Sequence, residues 1–406
     1  MPLNFNRYAL VASLAVGYTV MAASPAHAQS KPTCASLVTD GTLPHPVYGN
    51  GGSAITADLG LVAAKLRGLA SPISILFSDS GGACAQASTY VSGVVKTDFH
   101  YWAADGTEAD CTAPLAGQAT DFSHMGNPAD ACTTPAVTLP TDVKDFPAPI
   151  QTINIITGPQ SSEQVVSADS LYVTYGFATL TPWTNTAHIV KRSATSFASL
   201  LVGAAIGVPG GAFKGDVTAS TNKDVVTSVA AYAADNAQDG IGYTSGSAAD
   251  QGGSSIKTLA FEAKGQISGF WPDSRPGAAD KINVRTGQYD LWTPGHFFTK
   301  VDGSGNPVNA DVANLIHWYD GTVKPPTGVD VVGLTIDSGD IPSCAMQVTR
   351  QGLFGAVSSW APPAPCTHYF EKRATGTTPG TSCATDDDCK SVQGEHKCHY
   401  TYCEAY

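Results

Sequence analysis

The sequence predicts an α/β protein with mainly parallel strands. Between residues 45 and 300, short apolar, β-branched runs alternate with small-residue segments of helical length, the strand–helix–strand rhythm of a wound sheet. Glycine (41) and proline (26) are frequent but follow no period, so they punctuate turns and build no fibre. With 43% hydrophobic residues in a chain of 406, a sizeable core can be buried and a disordered polymer is excluded.

Residues 1–28 read as a secretory signal peptide. A short start carrying Arg7 precedes an apolar stretch over 8–23 and then Ala26-His27-Ala28, an A-x-A cleavage site. A membrane anchor is the competing reading, but Ser13, Gly17 and Thr19 interrupt a stretch that is already short for a span. No cysteine stands at the cleavage point to carry a lipid, and no later stretch approaches ~18 uninterrupted apolar residues. The expected product is exported, periplasmic or secreted. Losing Arg7 takes the formal net charge from -12 to -13, so a nucleic-acid partner is not expected and any bound anion needs a local site.

Helices are expected over 54–66, 82–91, 195–205 and 224–234, and strands over 73–77, 150–156, 188–190 and 256–261. Ala361-Pro362-Pro363-Ala364-Pro365 can be neither helix nor central strand and marks the end of the main body. All ten cysteines lie beyond residue 28, and an even count in an exported chain reads as disulfides. Cys383, Cys389, Cys398 and Cys403 crowd a C-terminal segment too short to have its own core, so cross-links should hold it. Three pairings of these four remain open. A zinc site using them with His396 and His399 is the sharper alternative.

Three of the helix starts share a chemistry. Tyr48-Gly49-Asn50-Gly51-Gly52-Ser53 precedes the first, Ser78-Asp79-Ser80-Gly81-Gly82 the second, and Lys191-Arg192-Ser193-Ala194-Thr195-Ser196 the third. The first N–H groups of a helix lack partners and the macrodipole is positive there, so each start can stabilise an anion. Ordinary N-capping asks for the same residue types. Three such starts, one with an arginine whose fork suits a tetrahedral oxyanion, point toward a shared anion site.

The order of these loops resembles the phosphate-type periplasmic solute-binding proteins of ABC transporters, over roughly residues 45 to 300. Gly49-Asn50-Gly51-Gly52-Ser53 looks like that family's first glycine-rich loop, and Asp79-Ser80-Gly81-Gly82 is similar to its Ser-Ser-Gly-Gly turn. Asp121-Phe122-Ser123-His124-Met125-Gly126 matches an Asp-Phe-Gly-x-Ser-Asp segment. Phe146-Pro147 with 150–156 looks like the crossover strand. Val190-Lys191-Arg192 followed by Thr195-Ser196-Phe197 resembles the arginine loop, and Asp239-Gly240-Ile241-Gly242-Tyr243 the return strand. The resemblance implies a two-lobed type II periplasmic-binding-protein-like fold, plus a small disulfide-rich tail. Its divisions are 29–149 for the first part of lobe 1, 150–245 for lobe 2, 246–360 for the return to lobe 1, 361–382 for a linker and 383–406 for the tail.

The same resemblance implies a non-catalytic protein that holds inorganic phosphate or a related oxyanion, needs no cofactor or metal, and delivers to an ABC permease. Carried over position by position, the ligand-binding residues are Ser53, Asp79, Ser80, Gly81, Ser123, Arg192, Thr195 and Ser196. Two departures stand out. Gly126 occupies the place of the family carboxylate that accepts the proton of hydrogen phosphate, and the arginine loop is about two residues short. Asp79 is a candidate substitute acceptor, or a simple helix cap. A structural or adhesion protein of the same fold, its ligand site lost, is the alternative that these departures motivate. Two further motifs are set aside. Ser80 sits too early, and without a suitable upstream histidine, for a trypsin-like protease. Asp302-Gly303-Ser304-Gly305-Asn306 lacks the glycine and glutamate of a calcium loop and reads as a turn.

Overall fold

A computed structural model of the chain describes residues 31–394 and 396–405. The signal peptide read at 1–28 lies outside the described residues. In chain order the elements are α1 (Cys34–Thr39), β1 (Pro46–Gly51), α2 (Thr56–Arg67), β2 (Ser74–Ser78), α3 (Ala83–Ser92), β3 (Phe99–Trp102), β4 (Glu108–Cys111) and β5 (Phe122–Met125). There follow β6 (Val143–Thr157), β7 (Val165–Ser167), α4 (Ala168–Phe177), β8 (Val190–Arg192), α5 (Phe197–Ile206), β9 (Val217–Ala219), α6 (Asn222–Asp235), β10 (Ile241–Ser245) and α7 (Gly246–Gly252). The remainder is β11 (Lys257–Thr258), β12 (Ala260–Glu262), α8 (Ile282–Arg285), β13 (Trp292–Lys300), α9 (Ala310–Asp320), α10 (Val331–Ser338), β14 (Val348–Arg350), β15 (Val357–Ser359), α11 (Thr367–Thr375), β16 (His396–His399) and β17 (Tyr402–Ala405).

The α/β class read from the sequence is the class observed, and the four expected helices appear as α2, α3, α5 and α6. The expected strand at 256–261 is broken at Leu259. That residue is fully buried and donates its N–H to the Ile155 carbonyl, while the chain switches from pairing β6 (β11) to pairing β7 (β12). The expectation of mainly parallel strands needs correction. Parallel pairs are β1 with β2 and β5, β7 with β12, and β8 with β9. The others are antiparallel, because the short turn between β3 and β4 permits nothing else and because β13 inserts between β5 and β6 running against both.

Strand β6 organises the main sheet, whose order is β10-β6-β13-β5-β1-β2-β3-β4 with β11 also on β6. Residues 143–152 of β6 pair with β13, and residues 153–157 pair with β10. One strand therefore carries two sets of neighbours. Alternation along the strands separates the cores. On β5, Phe122 packs with Leu59, Val62, Phe77 and Phe297 against α2, α9 and α10, while Met125 faces the cluster that contains Ala83, Ala87 and Tyr90 of α3. Beyond residue 153, Ile156 joins Val190, Val225 and Val229 under α6.

The ten cysteines form five disulfides, Cys34–Cys111, Cys84–Cys132, Cys344–Cys366, Cys383–Cys398 and Cys389–Cys403. The open tail pairing is thereby decided, and no thiolate remains for zinc. The segment read as a linker, 361–382, contains α11. It is ordered by the Cys344–Cys366 bond and by buried Phe370, whose ring lies 4.6 Å from the Arg285 guanidinium. The tail is docked on α11 as well as cross-linked. Glu404, 1% exposed, accepts the N–H groups of His368 (2.7 Å) and Tyr369 (3.3 Å) in the first turn of that helix. Asp302 forms the expected turn, accepting from the Ser304 and Asn306 N–H groups at 2.8 and 3.0 Å.

Replacing Glu404 by alanine strands two first-turn donors and should cost about 1–2 kcal/mol locally. Limited proteolysis should then cut the tail several-fold faster while the main melting transition moves little. A tail as resistant as before would mean that the disulfides alone fix it.

Candidate functional site

The site grows from β8. Its residues alternate so that Val190 and Arg192 turn inward and Lys191 outward. The Arg192 backbone N–H donates to the Tyr243 hydroxyl on β10 (3.0 Å), which is itself bonded to Ser199 Oγ on α5 (2.8 Å). Burial pushes the Tyr243 hydroxyl up to about 12, so it stays a neutral bridge between β8, β10 and α5.

Arg192 is 3% exposed. Both Nη1 and Nη2 donate to Ser53 Oγ at 3.3 Å, and Nη2 also donates to the Ser220 carbonyl at 3.0 Å. Its Nε is buried and unpaired. Among the described residues no carboxylate forms an ion pair with it. Asp79 and Asp224 act on it only electrostatically, and burial pulls its pKa below the usual value. A guanidinium that has left water without an anion is expensive to keep.

Ser53, between β1 and α2, is the second pivot. Its oxygen also receives the Asn222 N–H (3.4 Å) and Nδ2 (3.2 Å), so its own proton is directed away from these donors. Ser53, Arg192 and Asn222 surround a small void of about 10 Å³ with Gly52, Ala83, Gly126, Ser196 and Phe197. That volume has room for about one water. The N-termini of α3, α5 and α6 converge on it. No side chain caps α3 or the neighbouring α2, whereas Ser196 caps α5 by accepting from the Ser199 N–H at 3.1 Å and Thr221 caps α6. The surrounding polar groups are predominantly donors, which suits an anion.

Of the eight residues expected at the site, Ser53, Arg192 and Ser196 line this void. Gly81 and Thr195 do not line it but stand next in the chain to Gly82 and Ser196, which do. Thr195 Oγ1 donates to the Gly81 carbonyl at 2.8 Å and the Cys84 N–H donates to the Thr195 carbonyl at 3.1 Å, which zips the α3 loop to the α5 loop. Ser80 is exposed; its carbonyl accepts from the Gln86 side chain. Ser123 is fully buried on β5 with its hydroxyl unpaired, and it does not line the void. At Gly126, an added Cβ would come within 2.7 Å of the Phe197 ring, so an aromatic edge fills the space next to this position.

Asp79 neither caps α3 nor lines the void; it faces an adjoining cleft of about 820 Å³ that shares Ser53 and Asn222. There it accepts from Thr56 Oγ1 (3.1 Å) and pairs with His100 Nε2 (3.3 Å). His100 Nδ1 meets Asp110 at 2.7 Å, with Glu108 at 3.6 Å. The hydrogen bond to Asp79, reinforced by Asp110 and Glu108, raises the His100 pKa to about 9. Sequence reasoning missed His100, whose role depends on its cross-strand register with Asp110. It also missed Asn222, although Thr221 followed three residues later by Asp224 is a capping-box pattern that marks this helix start.

No protein-family model matches the chain, and no curated protein matches it. Solved structures similar to it include a Clostridium perfringens protein with bound phosphate, named as a phosphate ABC transporter substrate-binding protein. That protein is 13% identical, with 73% of this chain and 99% of that one covered and a TM-score of 0.47. An ABC-type phosphate transport receptor from Vibrio cholerae is 14% identical over 73% of this chain and 99% of its own, with a TM-score of 0.44. A DING protein is 12% identical over 73% and 90%, also with a TM-score of 0.44.

Two outcomes follow from this geometry. Gly82 has φ +91°, and a Cβ there would meet Thr195 Oγ1 at 2.7 Å and the Ser196 nitrogen at 3.0 Å. Gly82→Ala should therefore cost about 1–3 kcal/mol in denaturant unfolding and part the two loops. For His100 the folded pKa, about 9, exceeds the unfolded value near 6.5. Its stabilisation is fully present below pH 6.5 and is lost as pH rises through 9. Unfolding free energy should decline across that window, and the His100 part of the decline should vanish in His100→Gln.

Proposed function

We propose that the chain is an exported solute-binding protein that holds a tetrahedral oxyanion, phosphate or a near relative, for uptake or sensing. The observation that carries the reading is Arg192: a buried guanidinium, bonded among the described residues only to a hydroxyl and a carbonyl, with Nε unpaired, at a void onto which three helix N-termini converge. An oxyanion supplies the missing negative charge, and the Ser53 hydroxyl and first-turn N–H groups supply further donors. The protein binds and does not transform its ligand. The five disulfides support an oxidising compartment, periplasmic or secreted, and no helix among the described residues is long and apolar enough to cross a membrane.

In this reading 29–149 with the return 246–360 forms one lobe, 150–245 the other, and an ABC permease receives the ligand. A void of about 10 Å³ is smaller than a tetrahedral oxyanion, so the zipped α3 and α5 loops separate slightly on binding. With Gly126 in place of a carboxylate, no carboxylate among the described residues lines the void to accept the proton of hydrogen phosphate, and sulfate competes with phosphate. The second reading, a structural or adhesion protein with a lost site, is favoured by the same small void and by the Phe197 ring against Gly126.

Thermal unfolding against phosphate, sulfate, arsenate, phosphonates and chloride tests the proposal. A ligand at a thousand times its Kd should stabilise the protein by roughly 4 kcal/mol. Arg192→Ala should remove at least ~2 kcal/mol of binding, about thirtyfold in Kd. An absence of any anion-dependent shift leaves the structural reading standing.

A further inference from the structure

The cleft that adjoins the Arg192 void is far larger than the void itself. It measures about 820 Å³ against about 10 Å³, and Ser53 and Asn222 line both. An oxyanion seated on Arg192 therefore meets the cleft at these two residues, while a ligand that is nothing but an oxyanion uses almost none of it. Sites for small organic molecules usually measure about 300–1,000 Å³, and the cleft falls within that range.

One wall comes from α2 and the β3–β4 hairpin, the other from α6 and α7. Hydroxyl and amide groups dominate both. Thr56 lines the first wall, and Thr221, Thr227 and Gln251 line the second, with Thr227 and Gln251 exposed. Such side chains both donate and accept, which suits a ligand whose groups do the same. Leu61, 37% exposed, adds a short apolar stretch on the α2 side.

The charges in the cleft oppose those at the void. Asp79, Glu108 and Asp224 line it against Lys223 and His100. The His100 ring is already taken up by Asp79 at 3.3 Å and Asp110 at 2.7 Å. A second anionic group reaching into the cleft would meet these carboxylates and be repelled. Hydroxyl groups there would instead donate to them. The ligand body that fits is uncharged and rich in hydroxyls, with C–H groups to set against Leu61.

The geometry points to a phosphomonoester of a sugar or polyol as the ligand, its single phosphate at Ser53, Arg192 and Asn222 and its hydroxyl-bearing carbon chain in the cleft between α2 and α6. This inference rests on the oxyanion reading of the Arg192 void and narrows it.

Isothermal titration of the full mature chain with α-D-glucose 1-phosphate, sn-glycerol 3-phosphate, fructose 1,6-bisphosphate and inorganic phosphate tests it. Both monoesters should bind roughly tenfold or more tightly than inorganic phosphate, and the bisphosphate more weakly than glucose 1-phosphate. Leu61→Trp fills the cleft from an exposed position and should weaken glucose 1-phosphate about tenfold with inorganic phosphate unchanged. Gln251→Ala, also at an exposed position, should weaken the sugar ester several-fold and leave inorganic phosphate alone. Monoesters that bind no tighter than inorganic phosphate overturn this inference and leave the oxyanion reading intact. It is equally overturned if the bisphosphate binds as tightly as glucose 1-phosphate, or if the two cleft variants weaken inorganic phosphate as much as the ester. Should none of the four compounds bind, the oxyanion reading fails and this inference with it.

Discussion

Burying the Arg192 guanidinium is the constraint on which the rest of the site depends. The head group is out of water, has no carboxylate contact among the described residues, and is held by one hydroxyl and one carbonyl from two different loops. Net favourable burial of such a charge needs either a compensating anion or a sink elsewhere in the fold. Ser53 and Asn222 are drawn together around it, and through them the loop after β1 and the start of α6 are tied to β8. Tyr243 completes the frame by receiving the Arg192 N–H from the sheet side.

That frame can be rigid because its supports come from distant parts of the chain. β6 carries β13 on its first ten residues and β10 on its last five, so the elements that hold Ser53 and those that hold Arg192 share one strand. The Cys84–Cys132 bond fixes the first turn of α3 to the segment just after Gly126. Gly82, at φ +91°, then allows the α3 and α5 loops to approach closely enough for Thr195 to reach Gly81. The result is a tight junction of helix N-termini in which the local field is positive and few acceptors are present.

Electrostatics elsewhere in the protein follow a different logic. In the adjoining cleft, His100 is surrounded by Asp79, Asp110 and Glu108, and the cluster satisfies itself. Asp79 is turned into this cluster and does not line the Arg192 void. Beside α11, Lys281 is shared by Asp250 and Asp273, while burial next to Asp58 holds the Asp340 carboxyl well above the usual carboxylate range.

The alternation of apolar runs with small-residue segments was enough, by itself, to determine the α/β class and the four main helices, because periodicity and glycine punctuation are local properties. An even cysteine count likewise foretold disulfides, and Ser53, Arg192 and Ser196 could be picked out because each falls in a short polar segment leading into a helix, although Arg192 itself closes β8. Strand direction was not legible, since the antiparallel insertion of β13 is made by residues some 150 positions from its partners in β6. Nor was the tail pairing, which four closely spaced cysteines leave open. Only the tertiary structure placed Phe197 against Gly126, turned Asp79 toward His100, and brought Asn222 to Ser53. Those outcomes rest on packing between segments far apart in sequence, where no local propensity acts.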